Sequence, residues 1–102
     1  MTYALRFLPE VETDARNGRT WYEEKAQGLG AEFSRVFYAL CQDLTRNPRM
    51  YSQVHRDFHR RLLRRFPYAI YQRIEGDVVV VFGLFHCARD PRGLRKELGD
   101  RQ

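Results

Sequence analysis

The chain has 102 residues, a formal net charge of +5 at neutral pH and 43% hydrophobic residues. This length predicts one domain over residues 1–102 with a single modest core. No apolar run approaches the roughly 20 residues of a membrane-spanning helix, and the N-terminus lacks the apolar stretch of a signal peptide, so we expect a cytoplasmic protein without a membrane partner.

The positive charge is concentrated in the second half of the chain. Residues 1–50 hold seven Lys and Arg against seven Asp and Glu, whereas residues 51–102 hold eleven against six. Sixteen of the 18 cationic residues are arginine, whose planar fork binds phosphate and carboxylate groups. The second half is therefore expected to meet an anionic partner, either nucleic acid or an acidic protein.

The N-terminal half is predicted to form one strand and two helices. Residues 2–8 alternate as a strand, and Pro9 is well placed to begin a helix that ends near Gln27. Its apolar stripe consists of Val11, Ala15, Gly18 and Tyr22, with Trp21 beside them. Residues 28–30 predict a turn, and residues 31–45 a second helix whose apolar face consists of Phe33, Val36, Phe37, Leu40, Cys41 and Leu44.

The C-terminal half is predicted to form a small sheet. Residues 50–58 are expected to be irregular, and strands are expected over 60–65 and 68–74, separated by a break at Phe66 and Pro67. A hairpin turn at 75–77 leads to a buried strand over 78–86, and residues 91–98 could form a short helix. The order β-α-α-β-β-β predicts an α+β fold, with a small antiparallel sheet packed against an N-terminal helical hairpin.

No metal or other cofactor is expected. Cys41 and Cys87 lack metal-ligand spacing and are expected to be reduced, with Cys41 in the core. His55 and His59 are four residues apart, a spacing that suits a metal only on a helix, and no helix is predicted there.

Four segments in sequence order resemble one protein family. They are WYEEKAQGLGAEF (residues 21–33), RNPRMY (46–51), RRLLRRFPYAIYQRIEGD (60–77) and FHCARDPR (85–92). Together they resemble the RelE/ParE superfamily, the toxins of bacterial type II toxin–antitoxin systems, and in particular its ParE-like or plasmid-stabilisation branch. The family fold, a small antiparallel sheet with two N-terminal helices, agrees with the pattern above.

The resemblance implies a toxin that a cognate antitoxin neutralises through an acidic or amphipathic segment, with operator DNA contacted only through that complex. It leaves the target open. ParE-like members inhibit DNA gyrase and are not nucleases, whereas RelE-like members are metal-independent endoribonucleases that cut messenger RNA on the ribosome. A degenerate member that only binds its antitoxin is the third alternative.

The residues for RNA cleavage match the family in part. A metal-free ribonuclease must activate a 2′-hydroxyl and stabilise charge on the phosphate. Histidine is the side chain whose unperturbed pKa lies near neutral pH, so His86 is the acid–base candidate, and Arg89 matches an arginine that the resemblance implies after the last strand. Ala69 stands where the resemblance implies a catalytic arginine, and Arg95 stands near the expected tyrosine. This departure favours the gyrase alternative.

Other side chains are candidates for binding. The candidates for contact with nucleic acid or an acidic partner are Arg60, Arg61, Arg64, Arg65, Arg73 and Arg92. The first five have little acid nearby in sequence and are expected to repel one another until an acidic partner binds. Tyr68 and Tyr71 are candidates for stacking on a base, and which of them is exposed stays open. The alternatives are a local hydrogen bond for His86, and a salt bridge with Asp90 for Arg89 and Arg92.

Overall fold

The computed structural model describes residues 2–48 and 53–102 and has the predicted α+β class. Its elements are β1 Ala4–Phe7, α1 Pro9–Lys25, α2 Leu29–Leu44, β2 Gln53–His55, β3 Phe58–Leu62, β4 Tyr68–Glu75, β5 Val78–His86 and α3 Pro91–Asp100. None of the helices in the described ranges is long and apolar enough to cross a membrane.

The five strands form one sheet in the order β1-β5-β4-β3-β2. β1 pairs parallel with β5, whereas the other neighbours are antiparallel, so the sheet is mixed and not wholly antiparallel as predicted. The parallel pair follows from the connectivity, because α1 and α2 carry the chain over the sheet before the hairpin strands begin.

The segment predicted to be irregular contains part of the sheet. Residues 53–55 form β2, and a two-residue turn at Arg56 and Asp57 leads into β3, which begins at Phe58. Three residues are too few to show a period of two, so this strand left no pattern in the sequence. Residues 50–52 lie outside the described part. β3 ends at Leu62, which places Arg64 and Arg65 in the loop before β4.

The helical hairpin turns tightly through its glycines. Gly28 has a φ of 86°, in the left-handed region that favours glycine, and it precedes the first residue of α2. The Glu23 carboxylate accepts hydrogen bonds from the backbone N–H groups of Gly28 and Gly30, both at 2.9 Å. These backbone bonds hold the pKa of Glu23 below its usual range. Gly28 precedes α2 but has no side chain that could cap the helix. The Glu23 carboxylate therefore serves as the N-terminal cap of α2.

The sheet separates two apolar layers. Val79 and Val81 of β5 face the helical hairpin, where they pack with Phe33 and Phe37. Val80 faces the other side with Phe58, Phe82 and Phe85, and α3 covers this layer with Leu94 and Leu98. β5 is therefore buried on both faces, as its run of valines predicts, and the core lies in two layers and not in one.

β5 contains a bulge opposite β4. Tyr71 pairs with Gly83 and Gln72 pairs with Val81, so Phe82 is an extra residue without a partner on β4. β1 pairs only with Val78–Val81, which leaves the outer edge of β5 open beyond that point.

Asp14 of α1 and Arg101 after α3 close this edge. The Asp14 carboxylate accepts from the Leu84 N–H at 3.2 Å, and Arg101 donates to the Phe82 carbonyl at 2.7 Å. The two side chains also pair with each other at 2.7 Å, with only 9% and 13% of Arg101 and Asp14 exposed. Burial alone would lower the pKa of Arg101, but the hydrogen bond and charge of Asp14 outweigh it and raise that pKa.

Candidate functional site

Two grooves flank the helical hairpin, and they have no lining residue in common. The first, the arginine groove, lies between α2 and β3 and has a volume of about 1010 Å³. The residues that line it are Arg35, Val36, Ala39, Leu40, Asp43, Arg60, Arg61, Leu62, Arg64 and Arg65. Four of the six predicted binding arginines therefore come together here.

Acids from α2 partly neutralise the arginine groove. Glu32 bonds to Arg35 at 2.9 Å and to Arg65 at 2.8 Å, and Arg35 is the main reason that the pKa of Glu32 is lowered. Asp43 lies 3.9 Å from Arg61. The expectation that these arginines repel one another until an acidic partner binds was wrong for Arg61 and Arg65. The fold brings acids that are distant in sequence, Asp43 and Glu32, beside them.

Arg60 and Arg64 of the arginine groove do not pair with Glu32 or Asp43. Arg60 donates from its Nε to the Tyr71 hydroxyl at 3.1 Å. Arg64 is exposed and forms no ion pair or hydrogen bond with the described residues. Leu62 beside it is 56% exposed, so the groove presents an available cation next to an apolar side chain.

Arg73 and Arg92 lie outside the arginine groove. Arg73 pairs with Glu75 at 2.6 Å and lies over the Phe82 ring at 4.7 Å, in the layer that α3 covers. Arg92 is exposed on α3. The six arginines predicted as binding residues are therefore not one surface.

The second groove, the aromatic pocket, lies between α1 and the end of β5 and has a volume of about 460 Å³. The residues that line it are Asp14, Asn17, Gly18, Trp21, Tyr68, Leu84, Phe85, His86 and Arg89. Both candidate catalytic residues thus lie in this pocket and not beside the arginines of β3.

Local partners hold His86 and Arg89 in place. The His86 Nδ1 accepts a hydrogen bond from the Ala88 N–H at 3.0 Å, and its ring lies 5.2 Å from the Tyr68 ring. Arg89 pairs with Glu97 of α3 and lies over the Phe85 ring at 4.6 Å. The predicted salt bridge to Asp90 does not form, because Asp90 caps α3 by accepting from the Gly93 N–H.

The two predicted stacking residues lie on opposite sides of the sheet. Tyr68 is half-buried in the wall of the aromatic pocket, where burial raises its pKa. Tyr71 is buried in the layer beneath α3 and accepts from Arg60. Only Tyr68 is therefore available to a ligand.

Ala69 is fully buried in the layer beneath α3. The position that the resemblance assigns to a catalytic arginine is thus part of an apolar core. An arginine could not take this position without displacing the packing around it.

No group of three or more potential metal ligands occurs in the described residues. Cys41 is buried, and burial raises the pKa of its thiol to about 12, so it remains protonated. The His55 side chain lies outside the described part of the structure.

Sequence patterns missed part of the aromatic pocket. Trp21 was placed beside the buried stripe of α1, yet it is 51% exposed at the pocket. Asn17 and Asp14 also line it. Their one shared signal is a spacing of three and four residues along α1, which puts the three side chains on one helix face.

Neither the family models nor the curated proteins include a match to this sequence. Solved structures do resemble it. A structure of the chromosomal ParDE system of P. aeruginosa has a TM-score of 0.73 and 11% identity over 83% of this chain and 96% of that one. The toxin RelE of E. coli, in a free mutant form, has a TM-score of 0.69 and 15% identity over 99% and 98%.

The RelBE2 toxin–antitoxin complex of Mycobacterium tuberculosis has a TM-score of 0.57 and 22% identity over 84% of this chain and 99% of that one. At these identities the likeness concerns the backbone. The resemblance seen in the sequence is thus confirmed at the level of the fold: this chain has the fold of the RelE and ParE toxins.

Proposed function

We propose that this chain is the toxin of a type II toxin–antitoxin system, that it acts as a ParE-like inhibitor of DNA gyrase in the cytoplasm, and that a cognate antitoxin neutralises it. The choice of DNA gyrase over messenger RNA as the target rests on one observation. The full set of residues considered for RNA cleavage, which is His86, Arg89 and the arginines within residues 60–65, is divided between two separate grooves.

Two further features support an activity other than RNA cleavage. Ala69 offers no charge where the nuclease branch of the family would have an arginine, and it is buried. Arg89 already pairs with Glu97, which reduces the charge that it can offer to a transition state. A protein target requires neither an acid–base pair nor a phosphate clamp.

The arginine groove is the surface that best fits the antitoxin. Its exposed arginines and Leu62 suit a segment with carboxylates on one side and apolar side chains on the other. Arg64 needs no rearrangement to pair with such a segment, since it has no partner to leave within the described structure. Operator DNA would be contacted only by the resulting complex.

The experiment is pulse labelling in bacteria after induction of the chain without its antitoxin. We expect thymidine incorporation to fall within minutes, with an SOS response, while methionine incorporation continues. The same experiment on His86→Ala and Arg89→Ala should give the same early loss of DNA synthesis. An early collapse of protein synthesis that either substitution abolishes would contradict the proposal. If neither synthesis falls, the chain is a non-toxic member that only binds its antitoxin.

RNA cleavage is the second candidate function, and one observation favours it. His86 and Arg89 line the same pocket, and a histidine beside an arginine can protonate a leaving oxygen while the arginine stabilises phosphate charge. Cleavage of messenger RNA by purified ribosomes with the chain, lost in both single variants, would establish it.

A further inference from the structure

We propose that two copies of this chain associate through the open edge of β1. The two β1 strands would run antiparallel, with Leu5 of one copy opposite Leu5 of the other, so that the two sheets become continuous. β1 is an outermost strand of its sheet and pairs only with β5. Its residues line neither the arginine groove nor the aromatic pocket, so the dimer leaves both open. The proposal therefore does not depend on the proposed toxin role.

The backbone of β1 presents hydrogen-bonding groups at this edge. The N–H groups of Ala4 and Leu8 donate toward β5, at 2.9 Å and 3.1 Å. Successive backbone groups of a strand point to opposite sides, so the N–H and C=O groups of Leu5 and Phe7 point away from β5. Among the described residues, no carbonyl accepts from either of these two N–H groups. The edge can therefore form a ladder with another strand.

Most two-fold registers of this ladder meet an obstacle. A register centred on Arg6 places the two Arg6 side chains directly opposite each other, and like charges in that position destabilise a sheet. A register centred on Phe7 brings Pro9 into the ladder, although Pro9 has no N–H and begins α1. A register centred on Ala4 places Phe7 opposite residue 1, before the strand begins.

The register centred on Leu5 meets none of these obstacles. The Leu5 N–H of each copy donates to the Leu5 carbonyl of the other, and the Phe7 N–H donates to the Tyr3 carbonyl. The Tyr3 N–H is not needed for this ladder, since it already donates to the Thr45 carbonyl at 2.8 Å. Both outward N–H groups of the strand thereby gain an acceptor.

The side chains of β1 on the hairpin side suit a second copy in this register. Tyr3 and Leu5 pack against the core layer beneath the helical hairpin, which places Phe7 on the same face. Phe7 is 38% exposed, and its ring lies 6.4 Å from that of Tyr38, which is 52% exposed. In the dimer Phe7 meets Tyr3 of the other copy and Leu5 meets Leu5. Apolar side chains thus oppose apolar ones along this face.

The opposite face of β1 carries Ala4 and Arg6, both of which are exposed. Arg6 lies opposite Ala4 of the other copy, so the two-fold contact brings no like charges together. Arg6 makes no ion pair or hydrogen bond with the described residues. A charge introduced at position 4 of the other copy would therefore act on Arg6 directly.

These features favour a second copy over an unrelated strand as the occupant of the edge. Any extended segment could take the backbone hydrogen bonds. The match of Phe7 with Tyr3 and of Arg6 with Ala4, however, is supplied by the same strand read in the opposite direction. Such self-complementarity is what a two-fold interface requires, because each copy contributes the same patch.

Disulfide cross-linking tests the register. All variants carry Cys87→Ser, which removes the exposed thiol, whereas Cys41 is buried. Ala4→Cys protein mixed with Arg6→Cys protein should form a disulfide-linked dimer on mild oxidation, because directly opposite residues at this position have Cα atoms about 4.5 Å apart. Neither protein alone should cross-link, since residues of equal number lie diagonally, at about 7–8 Å. Ala4→Cys mixed with Arg16→Cys, at an exposed position of α1, is the control and should not cross-link.

A pair of opposite charges at position 4 tests the dimer without a covalent bond. Ala4→Glu should tighten the dimer about fivefold and Ala4→Lys should weaken it about fivefold, because each change occurs twice across the two-fold axis opposite Arg6. Thr20→Glu and Thr20→Lys make the same changes in net charge at an exposed position of α1 and should leave the dissociation constant unchanged. Sedimentation velocity over a range of concentrations measures the constant, and circular dichroism checks the fold of each variant.

Three results would overturn the proposal. A chain that stays monomeric up to millimolar concentration has no such interface. Cross-linking by Arg6→Cys alone would show a different register, with the arginines opposite each other. Equal shifts from the substitutions at positions 4 and 20 would show that net charge, and not the edge of β1, determines association. The proposed toxin role would stand in each case, because it is tested by the labelling pattern in cells.

Discussion

Two glycines inside helices differ in what a methyl group would meet. A Cβ on Gly18 would lie 2.6 Å from the fully buried Phe33 ring, so the ring or the helix would have to shift, whereas a Cβ on Gly99 would meet nothing within 4 Å. We expect Gly18→Ala to destabilise the fold by about 1 kcal/mol, since overpacking exceeds the gain in helix propensity. Gly99→Ala should be neutral or stabilise it by up to about 1 kcal/mol. Urea denaturation measures both, and a gain at Gly18 would show that Phe33 can repack.

The buried pair of Asp14 and Arg101 is expected to matter more than any surface pair. Arg101→Met leaves the Asp14 carboxylate with only the Leu84 N–H as a partner, so the free energy of unfolding should fall by about 3 kcal/mol. Lys96→Met breaks a pair whose side chains are 79% and 67% exposed and should cost no more than about 0.5 kcal/mol. Equal losses of unfolding free energy in the two variants would show that the buried Asp14–Arg101 pair contributes no more to stability than an exposed pair.

At the scale of residues, the sequence predicted which side chains are buried better than it predicted which charged side chains pair with each other. The buried positions of α1, α2 and β5 follow from local periodicity and were predicted correctly, apart from Leu40, which is only partly buried. The partners of Arg61 and Arg65 lie on α2, and no local pattern connects residues that are far apart in sequence. The exposure of Trp21 was missed for a related reason. Helical periodicity shows which face of a helix is apolar, but it does not show whether a residue at the edge of that face is covered.

The turn of the helical hairpin predicts a pH dependence. The pKa of Glu23 is lowered, chiefly by the backbone N–H groups of Gly28 and Gly30, so its ionised form stabilises the fold. That contribution is complete above the usual value of 4.5 and is lost as the pH falls through the lower folded pKa. Glu23→Gln should therefore lose less stability than the wild type on acidification, as followed by urea denaturation at each pH.

A neighbouring residue supplies the control for Glu23. Glu24 is exposed on the same turn of α1, and Glu24→Gln removes the same charge without touching the backbone of the glycine turn. Its stability should follow the wild type across the acid range. If both variants respond alike, the effect comes from the net charge of the molecule and not from the cap.

At the scale of elements, long segments were predictable and short ones were not. α1, α2, β4 and β5 each have enough residues to show a period, and their boundaries fall within two residues of the prediction. β2 has three residues and was missed. The parallel pairing of β1 with β5 was also missed, because alternation gives the faces of a strand but not the direction of its neighbour.

The local charge of the arginine groove, and not the net charge of the molecule, should govern association with the antitoxin. Arg64→Glu reverses a charge in the arginine groove, and we expect it to weaken binding of the cognate antitoxin by about tenfold or more and to flatten the salt dependence. Arg16→Glu makes the same change in net charge on an exposed part of α1 outside both grooves. Calorimetric titration at two salt concentrations compares them, and equal weakening would mean that overall charge, and not the groove, determines affinity.

The division into two grooves is a property of the whole molecule that the sequence did not reveal. His86 ends β5 and Arg89 lies in the turn after it. Nothing local in the sequence indicates that the fold places these two residues in a different groove from the arginines of β3 and of the loop after it. The family resemblance likewise names residues and not their spatial grouping. The separation arises because α1 packs beside the end of β5 and borders one groove, whereas α2 and β3 border the other.

The bulge at Phe82 has a practical consequence for handling this protein. Beyond Val81 the backbone edge of β5 is sealed by Asp14 and Arg101, and an unsealed strand edge can recruit strands from other molecules. A preparation in which Arg101 is cleaved off or displaced should therefore precipitate before it unfolds.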